Sequence, residues 1–378
     1  MNRPLVEIGD KLEDVITRHR QGSPSVNWLM ELRRSSGSLE ETGLFPASLV
    51  RKFAAVEAEI LSDGVALLQF YVWLASGCLT TAFILSQRNA ALRRITTCKN
   101  ETARTTLLKA IQSDHVFATV GFSHLTTSGL HLNAPSLVAT RVNGGWVLDG
   151  ASPWVTGGEF AAWIVVGAVE TSKVPYESAH SIPNELLCAI PGNSKNVRVE
   201  PRCKLMALDA SSTGPVRFEG VFVDESYVLH GPIANVMEAS NLSSVSVPLP
   251  GTAPSAGGLQ TSALAIGHGA QAIEYLVCES ANREDLVVTA EGLRSQWLQV
   301  SDALFKMNSG EIAYDASTLR KKANDLALKS TQAALVAAKG AGFSNGHDVG
   351  RWCRESMFFL VWSCPHRVAQ AHLCSFLN

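Results

Sequence analysis

The segment from Asn143 to Ala168 contains two side chains that are candidates for binding a ligand, Trp154 and Thr156. An aromatic ring and a hydroxyl suit stacking and hydrogen bonding rather than proton transfer. The apolar and β-branched residues around them predict two β-strands joined by a tight connection, with Trp154 to Thr156 where the second strand begins. An ordinary hairpin with a core tryptophan is the alternative that this segment alone leaves open.

Cysteine and histidine do not form a metal-binding pattern in this chain. The eight cysteines (78, 98, 188, 203, 278, 353, 364 and 374) are scattered, without a CxxC pair, and no two histidines have ligand spacing. We therefore expect no metal site, and reduced thiols in a cytoplasmic protein. Cys353 and Cys364 lack a catalytic partner at motif spacing, so they are expected to be small buried residues. His124 and His366 are expected to be surface or capping residues.

Composition limits the classes of function. The 378 residues are 46% apolar and 17% charged, which predicts two or three subdomains with large cores. The net charge is −2 and the chain has no run of basic residues, so the sequence predicts no positively charged surface that would bind nucleic acid. The N-terminus has the apolar spacing of an amphipathic helix (Leu5, Ile8, Leu12 and Ile16) rather than of a signal peptide. The apolar stretch from Gly64 to Gln87 contains polar interruptions, so we expect a pair of buried helices that breaks at Ser76-Gly77, and no membrane span.

The predicted secondary structure, which must position these residues, changes twice along the chain. Residues 1 to 115 have helical spacing, as in Ser48 to Leu61 and Glu101 to Ser113. Residues 116 to 236 have short strand-like runs, including 197–203 and 215–223. Residues 237 to 378 return to helix after a connector at 240–258 that is rich in proline, glycine and serine.

Four segments resemble those of acyl-CoA dehydrogenases, in the same order. Trp154-Val155-Thr156 resembles the family's Trp-Ile-Thr segment, and Lys204-Leu205-Met206 resembles its Lys-Leu-Gly segment. Gly269 to Arg283 resembles the first helix of the family's C-terminal bundle. Gly340 to Phe343 resembles the family's glycine turn, and Arg354-Glu355-Ser356 resembles the Arg-Asp-Ala that follows it. The resemblance covers nearly the whole length. It implies an α+β fold with an N-terminal α-helical domain (1–115), a middle β-barrel (116–236) and a C-terminal four-helix bundle (237–378).

The same resemblance implies an FAD cofactor and assigns roles to single residues. Trp154 and Thr156 would lie along the flavin ring, and Phe122 and Ser123 would form the flavin loop, in which His124 replaces the family's Glu. Arg283 would reach the pyrophosphate of a neighbouring subunit's flavin, which implies a homodimer or homotetramer. Ser128 would stand near the substrate, an acyl-CoA or a related small molecule. A flavin reductase or an electron-transfer protein would be the redox partner.

The catalytic carboxylate of the family is missing at its usual position. In most acyl-CoA dehydrogenases it is a Glu nine residues after the Arg of Arg-Asp-Ala, and the count from Arg354 reaches Ser363. A minority of the family carries the Glu on the first bundle helix, where this chain has Leu259. If the family's pattern is aligned differently here, Glu274 and Glu355 are the carboxylates that would replace the missing Glu as the base. Without a carboxylate, abstraction of an α-proton loses its base.

The sequence leaves three hypotheses about function open. The first is a flavin-dependent oxidoreductase that acts on CH–CH groups of an acyl thioester or related compound. The second is a two-component flavin monooxygenase of the same fold, which needs no α-proton base. The third is a non-catalytic paralogue with a binding role, because a fold does not by itself establish activity.

Overall fold

The computed structural model describes residues 28–61, 63–113, 116–126, 135–171, 183–238, 258–311, 313–364, 366–375 and 377. The predicted N-terminal amphipathic helix and nearly all of the connector at 240–258 lie outside these residues. By its internal contacts the chain divides into a helical unit (1–83, 205–210 and 251–378) and a β unit (84–204 and 211–250). The division into three domains at 115 and 236 stays a prediction.

In the described part of the chain, five helices precede the first strand. They are α1 (Trp28–Thr42), α2 (Ala47–Ile60), α3 (Gly64–Gly77), α4 (Leu79–Thr96) and α5 (Glu101–Ser113). Asp63 starts α3, because its carboxylate accepts from the backbone N–H groups of Val65 and Ala66. The chain leaves the helix at Cys78, so the predicted helix pair with a break after Gly77 is confirmed. No described helix is long and apolar enough to span a membrane.

Strands of the β unit form one mixed sheet. They are β1 (Ala118–Gly121), β2 (Leu137–Val142), β3 (Gly145–Thr156), β4 (Trp163–Glu170), β5 (Asn184–Pro191), β6 (Val197–Val199), β7 (Thr213–Asp224) and β8 (Val228–Ala234). The strand order is β6-β7-β3-β2-β4-β5-β8, and β1 pairs with β4 in parallel. Alternate residues of these strands enclose one apolar core around Trp146 and Phe218. Asn100 ties the start of α5 to this unit by donating to the carbonyls of Glu225, Ser226 and Val228.

The sheet corrects two strand predictions. Trp154 to Thr156 end the first strand of their segment, β3, and the second strand begins only at Trp163. The chain stays extended through Gly150, whose φ of 122° only glycine adopts easily. The strand predicted at 197–203 ends at Val199, two residues before Pro201.

The C-terminal helices complete the helical unit. They are α6 (Gly258–Ser280), α7 (Val287–Asn308), α8 (Ala316–Gly342), α9 (Asp348–Met357) and α10 (His366–Ser375). The helix α6 is buried along most of its length and approaches α3 very closely. A Cβ atom at Gly267 would lie 2.1 Å from the Val72 carbonyl oxygen, so the two backbones meet where only glycine fits.

We therefore predict opposite effects for two Gly→Ala substitutions in helices. Gly267→Ala should destabilise the protein by about 1–3 kcal/mol or more, because α3 must move away from α6. Gly292→Ala on α7 is the control, since a Cβ there meets nothing within 4 Å. It should stabilise the protein by about 0.5–1 kcal/mol through helix propensity. Thermal unfolding of both variants measures the difference, and equal midpoints would contradict the close approach.

Candidate functional site

A bulge near the end of β3 determines the position of Trp154. Ser152 pairs with Val216 and Val155 with Gly214, so Pro153 and Trp154 face a single residue of β7. Such a two-against-one arrangement redirects a side chain out of the regular pleat. Trp154 is 46% exposed, unlike the fully enclosed Trp146 on the same strand. The bulge thus leaves an aromatic side chain half exposed beside a strand end.

Thr156 lies at the same strand end but is buried. Its Oγ1 lies 3.0 Å from Thr213 Oγ1, which lies 2.8 Å from Ser211 Oγ. Its carbonyl accepts from the Thr119 hydroxyl of β1 at 2.8 Å. The three hydroxyls of Thr156, Thr213 and Ser211 form a continuous chain, which the sequence did not predict. Thr156 is therefore the terminal hydroxyl of this series, and a ligand at the strand end would meet the series at Thr156.

The turn after β1 lies against the same part of β3. A Cβ at Gly121 would lie 2.8 Å from Ser152 Oγ and 3.1 Å from a methyl group of Val155. Phe122 follows directly, and Ser123 and His124 begin a single 3₁₀ turn. The structure thus places the predicted flavin-loop residues next to the bulge that carries Trp154. Ser128 falls among residues 127–134, outside the described part of the chain.

Several polar atoms of this region are buried and have no hydrogen-bond partner in the described part of the chain. Among the described residues, Ser123 Oγ, His124 Nδ1 and Ser152 Oγ have none. His124 is buried, which corrects the expectation of a surface or capping residue, and its Nε2 donates to the Gly167 carbonyl at 2.7 Å. Burial lowers the pKa of His124, so the ring is neutral near pH 7. Unpartnered buried groups are costly, and a bound molecule would satisfy them.

The position of the missing carboxylate lies in the helical unit. Ser363 occupies a turn between α9 and α10, with a left-handed φ of 44°, and is half-buried. Arg320 of α8 holds this turn by donating from Nη2 to the Trp362 carbonyl at 3.1 Å. Cys364 is buried, as expected, and burial raises the pKa of its thiol. Nothing in this turn supplies a carboxylate.

The two substitute carboxylates named from the sequence are both engaged. Glu274 forms an ion pair with Arg33 of α1. Glu355 is enclosed in the helical unit, with its oxygens 3.6 Å from His268 Nδ1 and from Arg351 Nε. Burial raises the pKa of Glu355 to about 7, although Arg351 opposes this shift. The sequence pattern identified Glu355 but not its neighbour His268, which lies 87 positions earlier in the chain.

Arg283 binds within its own chain. Its Nη1 donates to the Ala337 carbonyl at 2.7 Å and its Nη2 to Asp285 at 3.2 Å. The helix α8 kinks two residues after Ala337, at Lys339, so Arg283 supports the start of this kink. A contact with a neighbouring subunit's cofactor stays a prediction. No group of three or more metal-ligating side chains occurs among the described residues.

The arrangement of helices and strands is that of the acyl-CoA dehydrogenase fold, which confirms the fold prediction. Butyryl-CoA dehydrogenase from Megasphaera elsdenii aligns with a TM-score of 0.75 at 15% identity, over 99% of this chain and 98% of its own. A glutaryl-coenzyme A dehydrogenase in complex with glutaryl-CoA aligns with 0.72 at 15%, over 97% and 93%. FMN-bound TdsC from Paenibacillus sp. A11-2, a dibenzothiophene monooxygenase, aligns with 0.70 at 12%, over 96% and 95%.

At the level of sequence the chain stands apart. No protein-family model and no curated protein matches it. The structural likenesses therefore establish the fold, and a fold does not by itself determine an activity.

The buried Glu355 predicts a specific pH dependence of stability. Its pKa is raised on folding, so its contribution is complete below the unfolded pKa of 4.5 and is lost as the pH rises through about 7. His268 acts in the opposite direction, because burial lowers its pKa to about 4 and its contribution is lost as the pH falls from 6.5. Glu355→Gln should therefore gain stability relative to wild type between pH 5 and pH 8.

Thermal unfolding at several pH values measures this gain. Glu291→Gln, which changes an exposed glutamate on α7, is the matched control. A difference between Glu355→Gln and wild type that does not change with pH would show that Glu355 is already ionised in the folded protein.

Proposed function

We propose that the protein binds a flavin on the β unit and is an oxidoreductase acting on an acyl thioester or a related compound. One observation carries this proposal. The half-exposed Trp154, the end of the hydroxyl chain at Thr156 and the Phe122–Ser123 turn meet at one end of β3. These are the residues that the resemblance to acyl-CoA dehydrogenases assigns to the flavin ring.

The residues present fit the ring of a flavin. An aromatic face suits stacking against a flat heterocycle, and the ring's carbonyl and N–H groups need hydrogen-bond partners. Ser123 Oγ and His124 Nδ1 are buried and have no partner among the described residues. A bound flavin would supply the acceptor or donor that these atoms lack. When bound, it would accept the hydride that leaves the substrate.

We propose FAD as the form of the flavin. The neighbour TdsC was solved with FMN, so FMN is the alternative. Arg283 remains our candidate for the pyrophosphate, and Ser128 our candidate for the substrate. Denaturing the purified protein and separating the released flavin by chromatography identifies the form directly.

The second candidate function is a flavin monooxygenase, and the carboxylates favour it. Ser363 cannot act as a carboxylate base, Glu274 is paired with Arg33, and Glu355 is enclosed. A reaction of reduced flavin with oxygen needs no base for an α-proton, but it needs a site that excludes water. In this case the protein would take reduced flavin from a separate reductase. A protein that binds without catalysis is the remaining alternative.

Thr156→Val tests the flavin site. The change removes one hydroxyl at nearly constant volume, so flavin affinity should weaken by about 0.5–1.5 kcal/mol. Thr213→Val is the matched control, because it also breaks the bond between Thr156 and Thr213. Both variants should lose stability, and Thr156→Val should lose more flavin affinity. If flavin titrations show the same affinity for both variants and wild type, the ring does not lie at Thr156.

Ser363→Glu tests the loss of the base. Wild-type protein with bound flavin should be reduced slowly or not at all by saturated acyl-CoA. Ser363→Glu should accelerate this reduction, since general-base assistance contributes about 10²- to 10⁴-fold. Ser363→Gln has the same size without the base and should behave like wild type. Anaerobic stopped-flow spectroscopy at the flavin absorption band measures all three.

Two outcomes of this experiment redirect the assignment. Rapid reduction of the wild type would mean that another carboxylate is the base, and Glu274→Gln would be measured next. If wild type and Ser363→Glu both stay oxidised, supplying reduced flavin and oxygen decides between the alternatives. Oxygen use without matching release of hydrogen peroxide would support a monooxygenase, whereas complete release would support a non-catalytic protein.

A further inference from the structure

Arg94, in the last turn of α4, is a buried cation that has no anionic partner among the described residues. Its side chain is 7% exposed, and no carboxylate of the described chain lies within ion-pair distance. Its Nε is buried without a hydrogen-bond partner among the described residues. Desolvation lowers the pKa of Arg94 to about 10, so the group is still charged at pH 7. Leaving such a charge uncompensated is expensive.

The surroundings of Arg94 compensate its charge only in part. The guanidinium lies over the Phe122 ring, 5.6 Å from its centroid, which provides a cation–π contact. The carbonyls at the end of α4 also favour a cation. Two described groups that interact with this charge, His230 and Arg93, are themselves basic. His230 lies close enough that the charge of Arg94 contributes to lowering the pKa of His230, and Arg93 opposes the charge of Arg94 directly.

Phe122 connects this charge to the proposed flavin loop. Ser123 and His124 follow Phe122, and each carries a buried polar atom without a partner in the part of the chain that is described. At His124 the acyl-CoA dehydrogenase pattern has a Glu, so the loop offers Arg94 no negative charge of its own. An anionic or strongly accepting ligand group on this loop would compensate the charge of Arg94 and satisfy the loop.

We propose that Arg94 compensates the negative charge that a flavin ring gains on reduction, and thereby raises the reduction potential of the bound flavin. This inference rests on the proposed function. A positive charge in a water-poor site stabilises an anionic ring far more than a neutral one. Arg94 should therefore matter little for binding oxidised flavin and strongly for binding reduced flavin.

Neutral substitutions of Arg94 separate these two effects. Arg94→Met and Arg94→Gln should bind oxidised flavin nearly as wild type does. Their affinity for reduced flavin should fall at least about tenfold, which lowers the midpoint potential by about 30 mV for a two-electron couple. Arg94→Lys keeps the charge and should restore most of the potential. Anaerobic reduction against a dye of known potential gives the midpoint, and equilibrium dialysis gives the oxidised affinity.

Arg141→Met is the matched control in the same unit. Arg141 also lies over an aromatic ring, 4.9 Å from the centroid of Trp146, but it pairs with Glu225 at 2.8 Å and is half exposed. Its loss removes the same charge and the same kind of contact, and the potential should stay at the wild-type value. If the Met and Gln variants of Arg94 do not fold, Arg94→Lys must still give a potential near wild type and well above that of free flavin.

The remaining outcomes each overturn a defined part of the inference. Equal potentials in wild type and Arg94→Met would reduce Arg94 to a structural role. If Arg94→Met weakens oxidised FMN but not riboflavin, the partner of Arg94 is the phosphate rather than the ring. Wild-type protein that binds no flavin overturns the proposed function, and the role of Arg94 with it.

Discussion

The pairing of β3 with β7 begins at Gly145 and Asp224 and ends at Thr156 and Thr213, with a register shift on each half of the strand. Because side chains alternate between the faces of a strand, each shift decides which later residues enter the core. The shift between Ser152 and Val155 buries Val155 and Thr156 while Trp154 stays half exposed. Without it, Trp154 would follow the regular pleat, and the candidate site would lose its half-exposed tryptophan.

The two units place charges in their interiors in different ways. In the helical unit, Glu355 has Arg351 and His268 nearby, so burial is partly offset by opposite charge and by a neutral imidazole. In the β unit, Arg94 has an aromatic ring and a helix end but no acid in the described chain. In the first arrangement opposite charges face one another, whereas Arg94 faces no opposite charge among the described residues. This difference is why we assign a structural role to one cluster and a functional role to the other.

Elements with a strong local pattern could be predicted from the sequence. The helix α5 has the predicted bounds, Glu101 to Ser113, and the break between α3 and α4 follows the glycine at 77. The position of Trp154 within its strand could not be predicted, because a bulge depends on the partner strand. The hydroxyl partner of Thr156 comes from Thr213, 57 positions away, and no local pattern indicates such a contact. The hydrogen bond of the buried His124 is likewise made to a distant residue, the carbonyl of Gly167.

The hydroxyl chain of Thr156, Thr213 and Ser211 has a property that none of its members has alone. Each hydroxyl owns one proton, so Thr213 can donate to one neighbour only and must accept from the other. If the protons point from Ser211 towards Thr156, Thr156 has its own proton left to donate outward. If they point the other way, Thr156 offers only lone pairs. Three rotations about C–O bonds, with no movement of a heavy atom, thus let the same strand end serve a ligand atom that alternates between accepting and donating a hydrogen bond.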